Sequence, residues 1–201
     1  MPESLRGLRI ELPEPGPFQG IRSVRATAAR NPCMGWGSRG TNRDDCGEWR
    51  KRMQYGVGEM GRIFVLRLEE GDQLPDIVEQ FAEEHGIQRG LVFYVGGGAD
   101  GSRLVVGPRE NMEQGIVPML HTLRGVHEVL AVGTLFPDDA GVPVLHLHAA
   151  AGREDKVAVG CARAGVKVWL VGEVVLLEIA GIEGRREKER GFSLLRFSSD
   201  E

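Results

Sequence analysis

Between Arg62 and Ile179 the chain consists of short apolar runs that alternate with polar residues and are separated by turn-forming residues. Successive side chains of a β-strand point to opposite faces, so a period of two is typical of strands. The predicted strands are RIFVLRL, LVFYVGG, SRLVVG, residues 126–136, residues 142–150, VAVGC and VKVWLVGEVVLLEI. So many short strands restrict the chain to a β-rich architecture.

One helix is predicted among these strands, at about residues 73–85. Asp72 is its predicted N-cap, Pro75 fits the first turn, and Gly86 follows the last turn. Apolar residues recur at helical spacing between these signals and form one stripe. We therefore expect an α+β domain with a mainly antiparallel sheet and one principal helix.

Composition divides the chain into three parts. Residues 1–59 are crowded with glycine and proline and show no regular period, which predicts a flexible or disordered arm. The patterned part, 60–182, is the expected domain, and 183–201 is a charged tail. Either the arm belongs to the native protein, or translation starts later, at Met53 or Met60.

Charge and cysteine content limit the classes of function. The chain has 25 basic and 29 acidic residues, and the acidic excess lies in 60–182, which argues against a strong DNA footprint on the domain. We find no apolar run of roughly 18 residues and no secretory signal, so we expect a cytoplasmic protein without a membrane partner. The three cysteines, Cys33, Cys46 and Cys161, favour reduced thiols over a disulfide framework.

The stretch VPVLHLHAAAGREDKVAVGC carries the residues with the clearest chemistry. In a strand, His146 and His148 share a face about 6 to 7 Å apart. The next predicted strand lies alongside and brings Cys161 near that face. Two imidazoles and a thiolate make a three-ligand set for zinc or another divalent transition metal, with an open position. The alternative is a half-exposed polar face beside a cysteine that packs in the core.

Other titratable residues lie near this stretch. Glu128 is a candidate catalytic residue, as a general base or a hydrogen-bond partner of a ligand. The alternative is that Glu128, His121 and His127 are ordinary surface residues. We assign no chemistry to His85 at the end of the helix. The glycines 96–98 fit neither a phosphate-binding loop nor a dinucleotide fingerprint.

The ordered motifs of this region resemble the PPC (plants-and-prokaryotes-conserved) domain, in its stand-alone prokaryotic form. The likeness covers about 61–179. It includes Leu-x-x-Gly-Asp before the helix and Gly-Ile-x-x-Gly after it, then Glu-Val-Leu, Gly-x-Pro-x-x-His-x-His and the closing Gly-Glu-Val-Val. The resemblance implies a homotrimer built on an antiparallel sheet. It also implies the DNA-binding role that is attached to the related domain of plant AT-hook proteins.

The resemblance also bears on the site. Many members complete the His-x-His pair with a third histidine in a Gly-Gly-His segment, whereas this chain has Val159-Gly160-Cys161, so its third ligand would be a thiolate. We find no AT-hook, which leaves basic residues of the arm as the DNA-contact candidates: Arg39, Arg43, Arg50, Lys51 and Arg52.

The sequence thus predicts a homotrimeric, DNA-binding PPC-domain protein with a metal at His146, His148 and Cys161. The alternatives are a metal-dependent enzyme or small-ligand-binding protein that uses this site, and a trimeric scaffold for other proteins.

Overall fold

The computed structural model describes residues 53–109, 117–189 and 192–197. Most of the predicted arm, up to residue 52, therefore lies outside the described residues. This part includes the five basic DNA-contact candidates. No helix in the described part is long and apolar enough to cross a membrane.

The described residues form eleven β-strands, one α-helix and a short 3-10 helix at Ala162–Ala164. The elements are β1 (Glu59–Leu68), β2 (Gln73–Leu74), α1 (Asp76–Glu84), β3 (Gly90–Gly98), β4 (Arg103–Pro108), β5 (Pro118–Thr122), β6 (His127–Pro137), β7 (Pro143–Arg153), β8 (Lys156–Cys161), β9 (Val166–Ala180), β10 (Arg185–Glu189) and β11 (Phe192–Arg196).

Nine strands make one sheet in the order β1-β9-β3-β6-β7-β8-β4-β5, with β2 beside β9, and β10 and β11 make a second, two-stranded sheet. The pairings within both sheets are antiparallel. The predicted α+β fold, a mainly antiparallel sheet with one principal helix, is confirmed.

The β6–β7 hairpin sets the register of the histidine strand. Its turn is closed by Asp138, whose Oδ1 accepts hydrogen bonds from the amides of Ala140 at 2.9 Å and Val142 at 3.0 Å. Gly141 supplies the positive φ of 82° that the turn requires. Pro137 then pairs with Pro143, and the register carries through to the histidines.

The helix begins later than the sequence predicts. Gln73 pairs with Lys167 of β9, so the chain is still extended where the prediction places the first helical turn. The carboxylate of Asp72 accepts a hydrogen bond from the amide of Glu69 at 2.8 Å, which closes the preceding turn. Asp72 is therefore not the N-cap. Pro75 occupies that position and makes no side-chain capping bond.

The core lies on one face of the main sheet, under α1. We call this the core face, and its fully or nearly buried side chains include Val92, Tyr94, Val129, Leu135, Leu147, Val174 and Leu176, with Val78 and Ala82 from the helix. The opposite face, which we call the outer face, exposes Val65, Phe93, Val95, Leu130, Val132 and Val159. Both faces of this sheet are thus apolar.

The C-terminal segment is not simply a solvated charged tail. Its strands β10 and β11 form a hairpin, and Arg186 of β10 is only 4% exposed. The Arg186 guanidinium donates to the carbonyl oxygen and the hydroxyl of Thr134 at 2.8 and 2.9 Å and to the carbonyl of Val144 at 3.3 Å. These bonds explain how a cation is buried at this position.

Candidate metal centre

The β7–β8 pairing brings the predicted ligands together. His148 lies directly opposite Cys161, and directly paired residues of antiparallel strands share a face. His146 is two residues before His148 and projects to the same side. One donor atom from each of the three side chains lies within 4.8 Å of the other two.

The two imidazoles already face each other. Their Nε2 atoms are 3.1 Å apart, and the rings meet edge to face with centroids 4.9 Å apart. Two ligands of one tetrahedral zinc ion would be about 3.3 Å apart, because zinc–nitrogen bonds are about 2.0 to 2.1 Å long. The nitrogen atoms of His146 and His148 therefore fit donation to one shared ion.

Burial differs among the three donors. Both histidine rings are exposed, whereas Cys161 is only 4% exposed. The two imidazoles are exposed on the outer face of the sheet, so solvent reaches the group from that side. A group with a buried sulfur and two accessible nitrogens can hold an ion that keeps one side open to water or to another ligand.

The surroundings of His146 favour the neutral form of its ring. Partial burial lowers the pKa of His146, and the nearby positive charge of Arg186, the His148 ring and Arg163 lower it further. A lowered pKa leaves the ring neutral, with a free lone pair, over more of the pH range. The surroundings of His146 thus favour coordination over protonation.

Two residues that the sequence pattern does not indicate hold the start of β7. Glu79 of α1 accepts a hydrogen bond from the amide of Leu145 at 2.7 Å, and Arg186 binds the carbonyl of Val144. These contacts supply partners to the two residues that precede His146. Burial, the largest cause, raises the pKa of Glu79 and lowers that of Arg186. The only sequence signal for either residue is a charged side chain in a helix or in a charged run.

The structure does not bring Glu128 to this group. Glu128 pairs with Gly152, whereas His148 pairs with Val132, four residues further along β6. Four residues of a strand span about 13 Å, which exceeds the reach of a glutamate side chain. His121 and His127 also lie away from His146, His148 and Cys161, where they line a separate cavity.

A shallow apolar depression adjoins the candidate centre on the outer face. Its volume is about 530 Å³, and its lining includes Phe93, Leu130, Val132, Val159 and His148 itself. One histidine thus belongs both to the candidate centre and to the exposed apolar surface.

Fold and site together define a small α+β domain with a candidate His/His/Cys metal centre on an open sheet face. The family model of the Plants and Prokaryotes Conserved (PCC) domain matches residues 55–180. The chain therefore belongs to this family, which is the PPC family that its sequence motifs resemble, and the predicted resemblance is confirmed. A search of curated proteins finds no match.

Solved structures share the fold. A plant- and prokaryote-conserved protein from Pyrococcus horikoshii is 24% identical, with a TM-score of 0.61 over 72% of this chain and 97% of that one. A metal-containing protein from Archaeoglobus fulgidus is 23% identical, with a TM-score of 0.62 over 72% and 99%. A candidate DNA-binding protein from Bacteroides thetaiotaomicron is 18% identical, with a TM-score of 0.56 over 73% and 99%.

Proposed function

We propose that this protein is a metal-binding member of the PCC family that holds a divalent transition ion, preferably zinc, through His146, His148 and Cys161. The observation that carries the proposal is the convergence of the three donor atoms within 4.8 Å. Two imidazoles and a thiolate suit zinc better than magnesium or calcium, which prefer oxygen. The likeness to a metal-containing protein from Archaeoglobus fulgidus supports it.

Three protein donors leave one position of a tetrahedral ion for water or a small ligand. Such a position is typical of zinc sites that bind or activate a ligand, whereas purely structural sites are filled by four protein donors. The proposed function is therefore ligand binding at the ion.

Cobalt substitution tests the ligand set. Titration of metal-free protein with Co²⁺ should produce the intense thiolate-to-cobalt charge-transfer absorption, because Cys161 supplies the sulfur. Cys161→Ser should abolish this band, whereas His121→Ala, which removes an exposed histidine outside the group, should retain it. A band that persists in Cys161→Ser would contradict the assignment.

We also propose that the outer face associates with further copies of this chain, in the homotrimer that the family resemblance implies. The exposed apolar residues of the outer face lie on neighbouring strands: Val132 pairs with Phe93, and Leu130 with Val95. A continuous exposed apolar surface is typical of protein–protein interfaces, and this supports the proposal. Because His148 borders the same surface, association would also shield the metal centre.

A lysine on the outer face tests this association. Leu130→Lys places a charge in the middle of the apolar surface and should shift the protein from trimer to monomer in analytical ultracentrifugation. Val142→Lys, at an exposed position in the β6–β7 turn, is the matched control and should leave the mass unchanged. A wild-type protein that sediments as a monomer at all concentrations would exclude the proposal.

DNA binding is the second candidate function. It is favoured by the likeness to candidate DNA-binding proteins from Bacteroides thetaiotaomicron and Ralstonia eutropha, and by the basic residues of the arm. A gel-shift titration at two salt concentrations tests it, because phosphate contacts weaken steeply with salt. Absence of a shift at micromolar protein in low salt would exclude it.

A further inference from the structure

A second cavity lies at the far end of the β7–β8 hairpin from Cys161. Its volume is about 550 Å³, within the range of small-molecule sites. The end of β5 and the loop into β6 form one wall, and the β7–β8 turn forms the other. We call it the basic cavity, and it is lined by His121, Thr122, Arg124, His127, Ala151, Arg153, Glu154, Lys156, Val157 and Ala158.

The charge of this cavity is opposite to that of the domain around it. Arg124, Arg153 and Lys156 contribute three positive charges, against the single carboxylate of Glu154. Glu154, which lies 3.8 Å from Arg153, offsets one of these charges, so the positive charges still outnumber the negative one. The cavity is therefore cationic within a domain whose acidic residues outnumber its basic ones.

The loop between β5 and β6 fixes two cavity side chains. Arg153 Nη1 donates to the carbonyl of Val126 at 2.7 Å, and the ring Nδ1 of His127 donates to the carbonyl of Gly125 at 3.0 Å. The amide of Gly125 in turn donates to Asp100 Oδ1 at 2.6 Å. The cationic side chain of Arg153 is thus held in place before any ligand arrives.

Gly125 is required for this arrangement. Its φ is +80°, and a β-carbon at this position would lie 2.8 Å from Arg153 Nη1. Any other residue would strain the loop and displace the guanidinium. The absence of a side chain at Gly125 thus leaves room for the Arg153 guanidinium against the loop backbone.

We propose that the basic cavity binds the phosphate group of a phosphorylated ligand of about mononucleotide size. Two guanidinium groups and an ammonium form charge-assisted hydrogen bonds with phosphate oxygens, and arginine does so with two parallel bonds. Thr122 adds a hydroxyl donor, and Ala151, Val157 and Ala158 offer an apolar wall for the rest of the ligand.

The basic cavity is separate from the metal centre. Arg153 follows His148 by five residues on β7, which corresponds to about 16 Å along a strand. The phosphate proposal therefore does not rest on the metal proposal. Phosphate oxygens can also bind a metal ion, so the experiment uses protein from which metal has been removed by chelation.

Isothermal titration of the full chain with AMP, in chelator, tests the proposal, with adenosine as the ligand that lacks the phosphate. AMP should bind and adenosine should bind at least tenfold more weakly. The double variant Arg124→Ala/Lys156→Ala should weaken AMP binding at least tenfold. These two residues are chosen because Arg153 also holds the loop. Arg67→Ala/Lys188→Ala removes two positive charges elsewhere and is the matched control.

A second arm with a short DNA duplex separates the two sources of the phosphate. Loss of duplex binding in Arg124→Ala/Lys156→Ala but not in the control, without AMP binding, would support the phosphate chemistry and identify nucleic-acid backbone as its source. Binding of neither probe to the wild-type protein would overturn the proposal. Equal weakening in the two double variants would also overturn it, since it would indicate only net charge.

Discussion

The two faces of the main sheet carry similar residues but have different surroundings. On the core face, Leu147 is 1% exposed and packs within the cluster under α1. On the outer face, Leu130 of the adjacent strand is 64% exposed. Apolar side chains on both faces are typical of strands that are covered on both sides. The comparison shows that the described residues cover one face and leave most of the other exposed, and this exposed part is where we propose that copies associate.

The outer face is itself uneven. Along β6, Leu130 is exposed, Thr134 is half-buried, and Phe136 is buried against Phe197 of the C-terminal segment, with ring centroids 6.0 Å apart. The candidate metal centre lies at the border between the covered end and the bare part, because Thr134 pairs with His146.

The largest expected effect separates the two faces directly. Leu147→Ala should lower the free energy of unfolding by about 2 to 5 kcal/mol, because it leaves a cavity in the core. Leu130→Ala should cost much less, and its cost should grow with protein concentration if copies associate through the outer face. Urea denaturation at two protein concentrations measures both. Equal, concentration-independent losses would remove the distinction between the faces.

The next effect concerns the covered end of the outer face. Arg186→Met should lower the free energy of unfolding by about 1.5 to 3 kcal/mol, because hydrogen bonds to a buried cation are lost and carbonyls are left unpaired. Arg185→Met is the matched control: Arg185 is exposed, so its ion pairs contribute little, and the loss should be below about 1 kcal/mol. Urea denaturation compares them, and similar losses would show that the buried contacts of Arg186 do not hold the C-terminal segment.

The smallest expected effect concerns the ion pair between Arg62 and Glu178, near the C-terminal end of α1. The side-chain hydrogen bond from Arg62 is the largest cause that lowers the pKa of Glu178 from 4.5 to about 2. Because the folded pKa is the lower one, this stabilisation is present above pH 4.5 and is lost as the pH falls towards 2. Glu178→Gln should therefore flatten the stability curve between these values, as followed by thermal denaturation. Glu183→Gln is the control, and an unchanged acid slope in Glu178→Gln would contradict the pairing.

The sequence predicts seven of the eleven strands and the meeting of the three donors, because local rules set them, but it does not predict β2, β5, β10 or β11. Alternation identifies the faces, and the two turns fix the registers that pair Val132 with His148 and His148 with Cys161. These rules predict only where the three side chains lie, so they do not show that a metal ion is bound.

The remaining features depend on contacts between distant segments. In the sequence, Arg186 is one charged residue in a charged run. Its burial follows only from the position of the C-terminal hairpin against β6. The helix start is displaced because Gln73 pairs with β9, about ninety residues away in the chain. The basic cavity joins Arg124 to Lys156 across two hairpins, and no local pattern indicates that.

Metal analysis of the purified protein tests the central claim most directly. After equilibration with zinc and removal of unbound ion, the wild-type protein and His121→Ala should retain about one ion per chain. His146→Ala and Cys161→Ala should lose it, with circular dichroism showing that each variant is folded. A wild-type protein that retains no ion, or variants that retain as much as the wild type, would contradict a metal centre at His146, His148 and Cys161.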